Sequence, residues 1–191
     1  MNNSVLSIQN LCVNYITPGN PVKAVNDVSF EIQQGEIFGL VGESGSGKST
    51  VVQAVLRTLP PPAVITGGKG IINNKDILSI SNTDVLQYRW KQISIVMQSA
   101  LNALNPVLTI REQIKDVLEI HGDLTGKAVD NRIHELLSLI DIDVSRLDSY
   151  PHELSGGMRQ RAVIAIALAL MPPLIIMDEP TNHLDMESIE S

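Results

Sequence analysis

Nine consecutive residues, Gly42-Glu43-Ser44-Gly45-Ser46-Gly47-Lys48-Ser49-Thr50, carry the clearest chemical signal in this 191-residue chain. They match G-x-x-x-x-G-K-[ST], a pattern in which every fixed position has a mechanical reason. Glycines at 42, 45 and 47 let successive backbone N–H groups, with those of Ser44 and Thr50, converge on phosphate oxygens. Lys48 reaches the outer phosphates as a point charge, and Ser49 offers a hydroxyl to Mg²⁺. A helix starting here aims its positive end at the same anion.

Two further stretches suit the same chemistry. Leu174-Ile175-Ile176-Met177 reads as a short buried strand ending in Asp178-Glu179. Asp178 suits Mg²⁺ held through its water shell, and Glu179 suits polarisation of an attacking water. Ser155 is a natural helix N-cap, and Gly156-Gly157 after it leave the first turn open to an anion. His121 and His134 have no partners at metal-ligand spacing, and Cys12, between Leu11 and Val13, reads as a small apolar residue.

Elements must position these groups. Ile37 to Val41 is an apolar run of strand length before the phosphate loop, and Val51, Val52, Val55, Leu56 and Leu59 follow it at helical spacing until Pro60-Pro61-Pro62. Upstream, Val5–Val13 and Val25–Ile32 alternate as two strands joined by a turn-rich loop, with Tyr15 just past the first, where its ring could lie against a planar base. Gly67 to Ile72 suggests a turn and short strand, Asn73 to Asp76 a loop, and Ile93 to Met97 a strand ending at Gln98.

Thr109-Ile110-Arg111-Glu112 has the form of a capping box, opening a helix with Ile114, Val117 and Leu118 that Gly122 stops. Val129, Ile133, Leu136, Leu137 and Ile140 repeat the pattern, giving a helical insertion of about fifty residues between two strands. Ala162 to Met171 is apolar almost all round, hence buried, but too short to span a membrane before Pro172-Pro173.

A 43% hydrophobic and 18% charged composition is that of a globular chain, and the net charge of −7 argues against a general nucleic-acid surface. One cysteine excludes an internal disulfide and fits a reducing compartment, and the N-terminus lacks the features of a signal peptide. The expected setting is cytoplasmic.

With Leu154-Ser155-Gly156-Gly157-Met158-Arg159-Gln160-Arg161 standing some twenty residues before Asp178-Glu179, the chain resembles the nucleotide-binding domain of an ATP-binding cassette transporter from about residue 5 to residue 185. The resemblance implies an α/β fold: a P-loop NTPase core of the RecA-like kind with an antiparallel β subdomain and an inserted α-helical subdomain. It implies a β subdomain and phosphate-loop core over 1–98, a helical subdomain over 99–154, and the signature helix and acidic strand over 155–191.

The same resemblance implies that Tyr15 stacks on adenine, that Gln98 senses Mg²⁺ and the attacking water, and that Asp185 touches a partner subunit. It further implies ATP and Mg²⁺ as cofactors and a second such domain as partner. The two would pair head to tail, so that Ser155, Gly156 and Gly157 of one close on the phosphate-loop nucleotide of the other. Gln98 to Ile110 and Tyr150 to Arg161 look like the ATPase subunits of dipeptide, oligopeptide or nickel importers. These sit peripherally on the cytoplasmic membrane face, beneath permease subunits and indirectly coupled to an external substrate-binding protein.

Two departures keep alternatives open. The family's histidine, about thirty residues beyond the acidic pair on a strand that fills the middle of the parallel sheet, has no counterpart before Ser191. A truncated chain, poor in turnover and unstable or associated, is therefore expected, and a nucleotide-binding fragment without turnover is one alternative. Pro180 to Glu190 looks more like the soluble F-subfamily cassette proteins that act on ribosomes, which is the other.

Overall fold

The computed structural model describes residues 3–97 and 103–178. It divides into two compact units, Met1–Gln92 and the part from Ile93 onward.

The first unit is built on a four-stranded antiparallel sheet of order β2-β1-β3-β4, comprising β1 (Ser4–Tyr15), β2 (Val22–Gln33), β3 (Ala63–Ile72) and β4 (Lys75–Asp76). Leu6, Ile8, Leu11, Val13 and Ile72 supply its most deeply buried side chains. The hairpin matches expectation, but Tyr15 is the last residue of β1 and not beyond it, since it pairs with both Val22 and Ala63.

Gly67-Gly68 is not a turn before a short strand. Both lie inside the ten-residue β3, where a local irregularity crosses three strands. Asn10 of β1 and Asp27 of β2 have positive φ (51° and 56°), and Asn10 Nδ2 donates to Asp27 Oδ1 at 2.7 Å. Gly68 completes the line at φ 96°, where an added Cβ would stand 2.6 Å from Asn10 O and Leu11 Cα. The pairing of β1 shifts register on both sides here, the mark of bulged strands.

Helix α1 (Lys48–Leu56) follows the phosphate loop and buries Val51, Ala54, Val55 and Leu56. It stops before the prolines because Arg57 turns to φ 55°, with its N–H on Ala54 O and that of Thr58 on Gln53 O. This is a left-handed helix ending without the usual glycine. Its strain is offset by the guanidinium, whose Nη1 donates to Ile77 O (3.0 Å), Leu78 O (2.8 Å) and Ile80 O (3.2 Å). Short α2 (Asn82–Tyr88) follows, capped by Ser81.

The expected strand Ile37–Val41 does not form. None of the described backbone hydrogen bonds engages these residues, and Ile37 and Val41 are 100% and 89% exposed. A strand exists through its ladder partners, and the antiparallel sheet of this unit offers none here. Phe38 stacks on Phe30 of β2, with ring centroids 5.1 Å apart.

The second unit contains a parallel pair, β5 (Ile93–Val96) and β6 (Leu174–Met177), with α3 (Ile110–Ile120), α4 (Lys127–Leu139) and α5 (Gly156–Leu168). Ile110, Ile114, Leu118, Ile133, Leu136, Leu137 and Leu147 are its deepest residues. Helix α5 has no exposed residue, as its apolar body requires, but ends at Leu168, ahead of Met171 at φ 51°. Among the described residues no helix is long and apolar enough to cross a membrane.

The three-strand crossing gives a direct test. Gly68→Ala would meet both a left-handed backbone and a backbone clash, so a urea melt should show a loss of about 2 kcal/mol or more. An unchanged midpoint would mean the strands relax around a methyl group.

Candidate functional site

The phosphate loop is shaped by its contact with β2. Gly47, the N-cap of α1, stands at φ 93°, and a Cβ there would lie 2.5 Å from Ala24 O. Ala24 lies between Val22, the partner of Tyr15, and Val25, the partner of Val13. The loop and the half-buried Tyr15 therefore occupy the same end of the β1–β2 hairpin.

Because the cap is a glycine with no side-chain bond, nothing from the cap side chain covers the first turn. The amides of Lys48, Ser49 and Thr50 cannot be satisfied within α1, whose first intrahelical bond runs from Val51 N to Gly47 O at 3.0 Å. Three aligned donors at the positive end of a helix form an anion site.

The lysine completes it. Lys48 Nζ donates to Gly42 O at 2.8 Å and Glu43 O at 2.7 Å, so the ammonium is folded over the loop by the loop's own carbonyls. An ammonium has three N–H groups, so one remains beyond these two bonds. Gly42, Ser44, Gly45 and Ser49 are exposed, Gly47 and Lys48 half-buried, and Thr50 buried at the root of the helix. The arrangement can bind a polyphosphate, and Ser49 beside it is exposed.

In the second unit β5 and β6 run parallel, so their carboxyl ends lie together, the edge where open α/β sheets take ligands. Half-buried Asp178 stands there, its N–H on Val96 O at 2.9 Å. Gln98, Glu179 and Asp185 lie outside the described residues.

Ser155 caps α5, its Oγ accepting from Met158 N at 3.3 Å. Gly156 has open space where a Cβ would stand, and Gly157 is buried. The segment entering Ser155 is held by α3. Ile110 N donates to Ser149 O (3.1 Å), Arg111 N to Leu147 O (2.8 Å), and Arg111 Nε to Asp148 Oδ1 (2.7 Å). Thr109 and Glu112 form the capping box that starts α3, and Tyr150 N donates to Glu153 Oε2 at 2.7 Å in the turn before Leu154.

These bonds shift the charges around them. The Arg111 hydrogen bond, with its positive charge, holds the Asp148 carboxyl below its ordinary value, and Asp148 in turn raises Arg111. Backbone and side-chain bonds from Thr109 lower Glu112. The capping box was legible in the sequence. Arg57, Gln113 and the Arg111–Asp148 pair were not, because their partners are backbone carbonyls or residues far along the chain. Among the described residues no group of three His, Cys, Asp or Glu side chains could hold a metal ion.

The family model described as "ABC transporter" matches residues 25–182. The chain is 44% identical over 185 residues to the dipeptide transport ATP-binding protein DppD of Bacillus subtilis (strain 168), covering 95% of this chain and 55% of that protein. It is 40% identical to the oligopeptide transport ATP-binding protein OppD of the same organism, covering 95% and 52%. The chain thus spans about half the length of these relatives. Among solved structures, the post-hydrolysis dimer of the ATP-binding cassette MJ0796 bound to ADP and Pi superposes with a TM-score of 0.82 at 30% identity, covering 96% of this chain and 77% of that one.

The carboxylates at the start of α3 make a pH test available. Folded-state values of Asp148 and Glu112 lie below their unfolded values, so their contribution is present above the ordinary carboxylate range, about pH 4, and is lost as pH falls through it and below. The thermal midpoint should fall on acidification from pH 6 to 3, and Asp148→Asn should start lower and fall less steeply. Parallel curves would remove Asp148 from the account.

Proposed function

From the premise that this chain belongs to the ABC transporter family, we propose that it is the ATP-binding and ATP-hydrolysing part of an importer for peptides. Nickel is the other cargo the sequence resemblance allows. One observation carries the reading: an uncapped helix start, open at the amides of Lys48, Ser49 and Thr50, with the Lys48 ammonium drawn over the same loop. The names of the relatives DppD and OppD support peptide as cargo.

In this reading the loop amides and Lys48 bind the phosphates of ATP, and Tyr15 lies against the adenine. Ser49, Asp178 and Gln98 present the oxygen ligands that Mg²⁺ prefers. Mg²⁺ when bound supplies charge neutralisation between the phosphates. Glu179 orients and polarises the water that attacks the terminal phosphate. The Ser155 helix start, with Gly156 and Gly157, takes the same phosphate from a second copy or a related domain paired head to tail, and Asp185 lies along that pairing. The assembly works beneath permease subunits at the cytoplasmic membrane face, receives its cargo through an external binding protein, and needs no nucleic acid.

A second reading is favoured by the exposed, unpaired run Ile37–Val41 directly before the loop. In that reading the chain would bind ATP and release little phosphate. The ribosome-associated alternative has only the resemblance of Pro180 to Glu190 behind it.

Two substitutions and one ratio test these readings. Lys48→Ala should weaken ATP binding by about 30- to 160-fold, the worth of a lost charge-assisted contact of ~2–3 kcal/mol. Glu179→Gln should keep ATP affinity while stopping phosphate release and prolonging the dimer. Equal loss of binding in both contradicts the roles. Phosphate release near background in the unsubstituted chain, with ATP affinity intact, favours the second reading.

A further inference from the structure

Gln113 is only 9% exposed, yet it is polar, and a buried amide is costly unless its bonds are made. They are made, and all of them go to one loop. Gln113 Oε1 accepts from Asn105 N at 2.9 Å, while Nε2 donates to Asn105 O (3.2 Å), Leu108 O (3.0 Å) and Thr109 O (3.4 Å). The loop itself contributes little. Its own described bonds are Leu108 N to Asn105 O (3.3 Å) and Val107 N to Asn105 Oδ1 (3.2 Å), and Val107 is 74% exposed.

The same turn of α3 is tied on its other flank. Ile110 N and Arg111 N reach Ser149 O and Leu147 O, and the Arg111 guanidinium meets Asp148 through Nε at 2.7 Å and Nη2 at 3.3 Å. One helical turn thus holds two distant segments: residues 105–109, a few positions after Gln98, and residues 147–149, a few positions before Ser155. Gln113 serves the first, and the Arg111–Asp148 pair serves the second.

We infer that Gln113 is a positioning residue: it fixes the loop following Gln98 to the helical turn that carries the entry to Ser155, so that the two segments move as one. This rests on the proposed nucleotide roles of Gln98 and Ser155, but the mechanical claim can be read separately. Packing alone does not account for the side chain. A leucine would fill a similar volume, but it would leave Asn105 N and Leu108 O without their partner, while Asn105 O and Thr109 O would keep only their backbone donors.

The test uses the full chain with Cys12→Ser and spin labels at Val107→Cys and Val144→Cys, both exposed positions. The expected result is a single narrow distance distribution, broadened at least twofold by Gln113→Leu. ATP affinity should stay within about twofold, while phosphate released per bound ATP falls about tenfold or more, the size of effect expected of a misplaced group. A distribution equally narrow in the variant, or a turnover per bound ATP that does not change, overturns the inference. If Gln113→Leu does not fold, hydrogen exchange in the unsubstituted chain decides. Asn105 N–H should exchange as slowly as the α3 amide of Val117, and exchange at the rate of a free loop amide overturns the inference. Failure of the unsubstituted chain to bind ATP counts against the nucleotide reading instead, and leaves the distance and exchange results to judge the lock.

Discussion

A helix that begins on a glycine leaves its first amides without a partner, and here a lysine side chain is held over the same turn. These two facts at Gly47 and Lys48 set a local positive field that only an anion can satisfy well. The rest of the first unit can be understood as the frame for that field. The close approach of Gly47 to Ala24 O fixes the loop against the β1–β2 hairpin, and the bulged crossing of Asn10, Asp27 and Gly68 bends that hairpin where β3 joins it. At the far end of α1, Arg57 closes the helix with its own backbone and binds three carbonyls with its side chain. The helix is therefore anchored where it ends and open where it begins.

The second unit follows a different logic. The residues proposed to act there stand at a strand end, Asp178, and at a helix start, Ser155. Rigidity comes from a small helical core around Ile114, Leu118 and Leu136 and from hydrogen bonds that run from α3 to the connecting segments. Arg132 adds to this by donating from α4 to Ala169 O (3.0 Å) and Leu168 O (3.1 Å), where α5 ends. Arg161 does the same from α5 toward Asp141 O at 2.7 Å. Arginines that satisfy helix-end carbonyls recur throughout the chain, and each joins elements that apolar packing alone would leave free to slide.

Features governed by neighbours in sequence were legible. The phosphate loop, the Thr109–Glu112 capping box, the Ser155 cap and the β1–β2 hairpin each follow from spacing within a few residues. Misreadings arose where a distant partner decides. Gly67-Gly68 signals a turn in isolation, but the strand crossing at Asn10 needs a residue without Cβ there. Three prolines suit a helix end, yet α1 ends earlier at Arg57, whose guanidinium meets the carbonyls of Ile77, Leu78 and Ile80. Ile37 to Val41 has the composition of a strand, but composition does not supply a ladder partner. Gln113 carries no signal of its own in the residue pattern, and only the folded loop shows what it holds.

The account rests on the grip of the loop on a triphosphate, and a crystal structure with a non-hydrolysable ATP analogue and Mg²⁺ tests that grip most directly. The account predicts phosphate oxygens on the amides of the Gly42–Thr50 loop, with Lys48 Nζ within about 3 Å of one of them. An analogue bound elsewhere, or a lysine still holding only Gly42 O and Glu43 O while the loop stays empty, would contradict it.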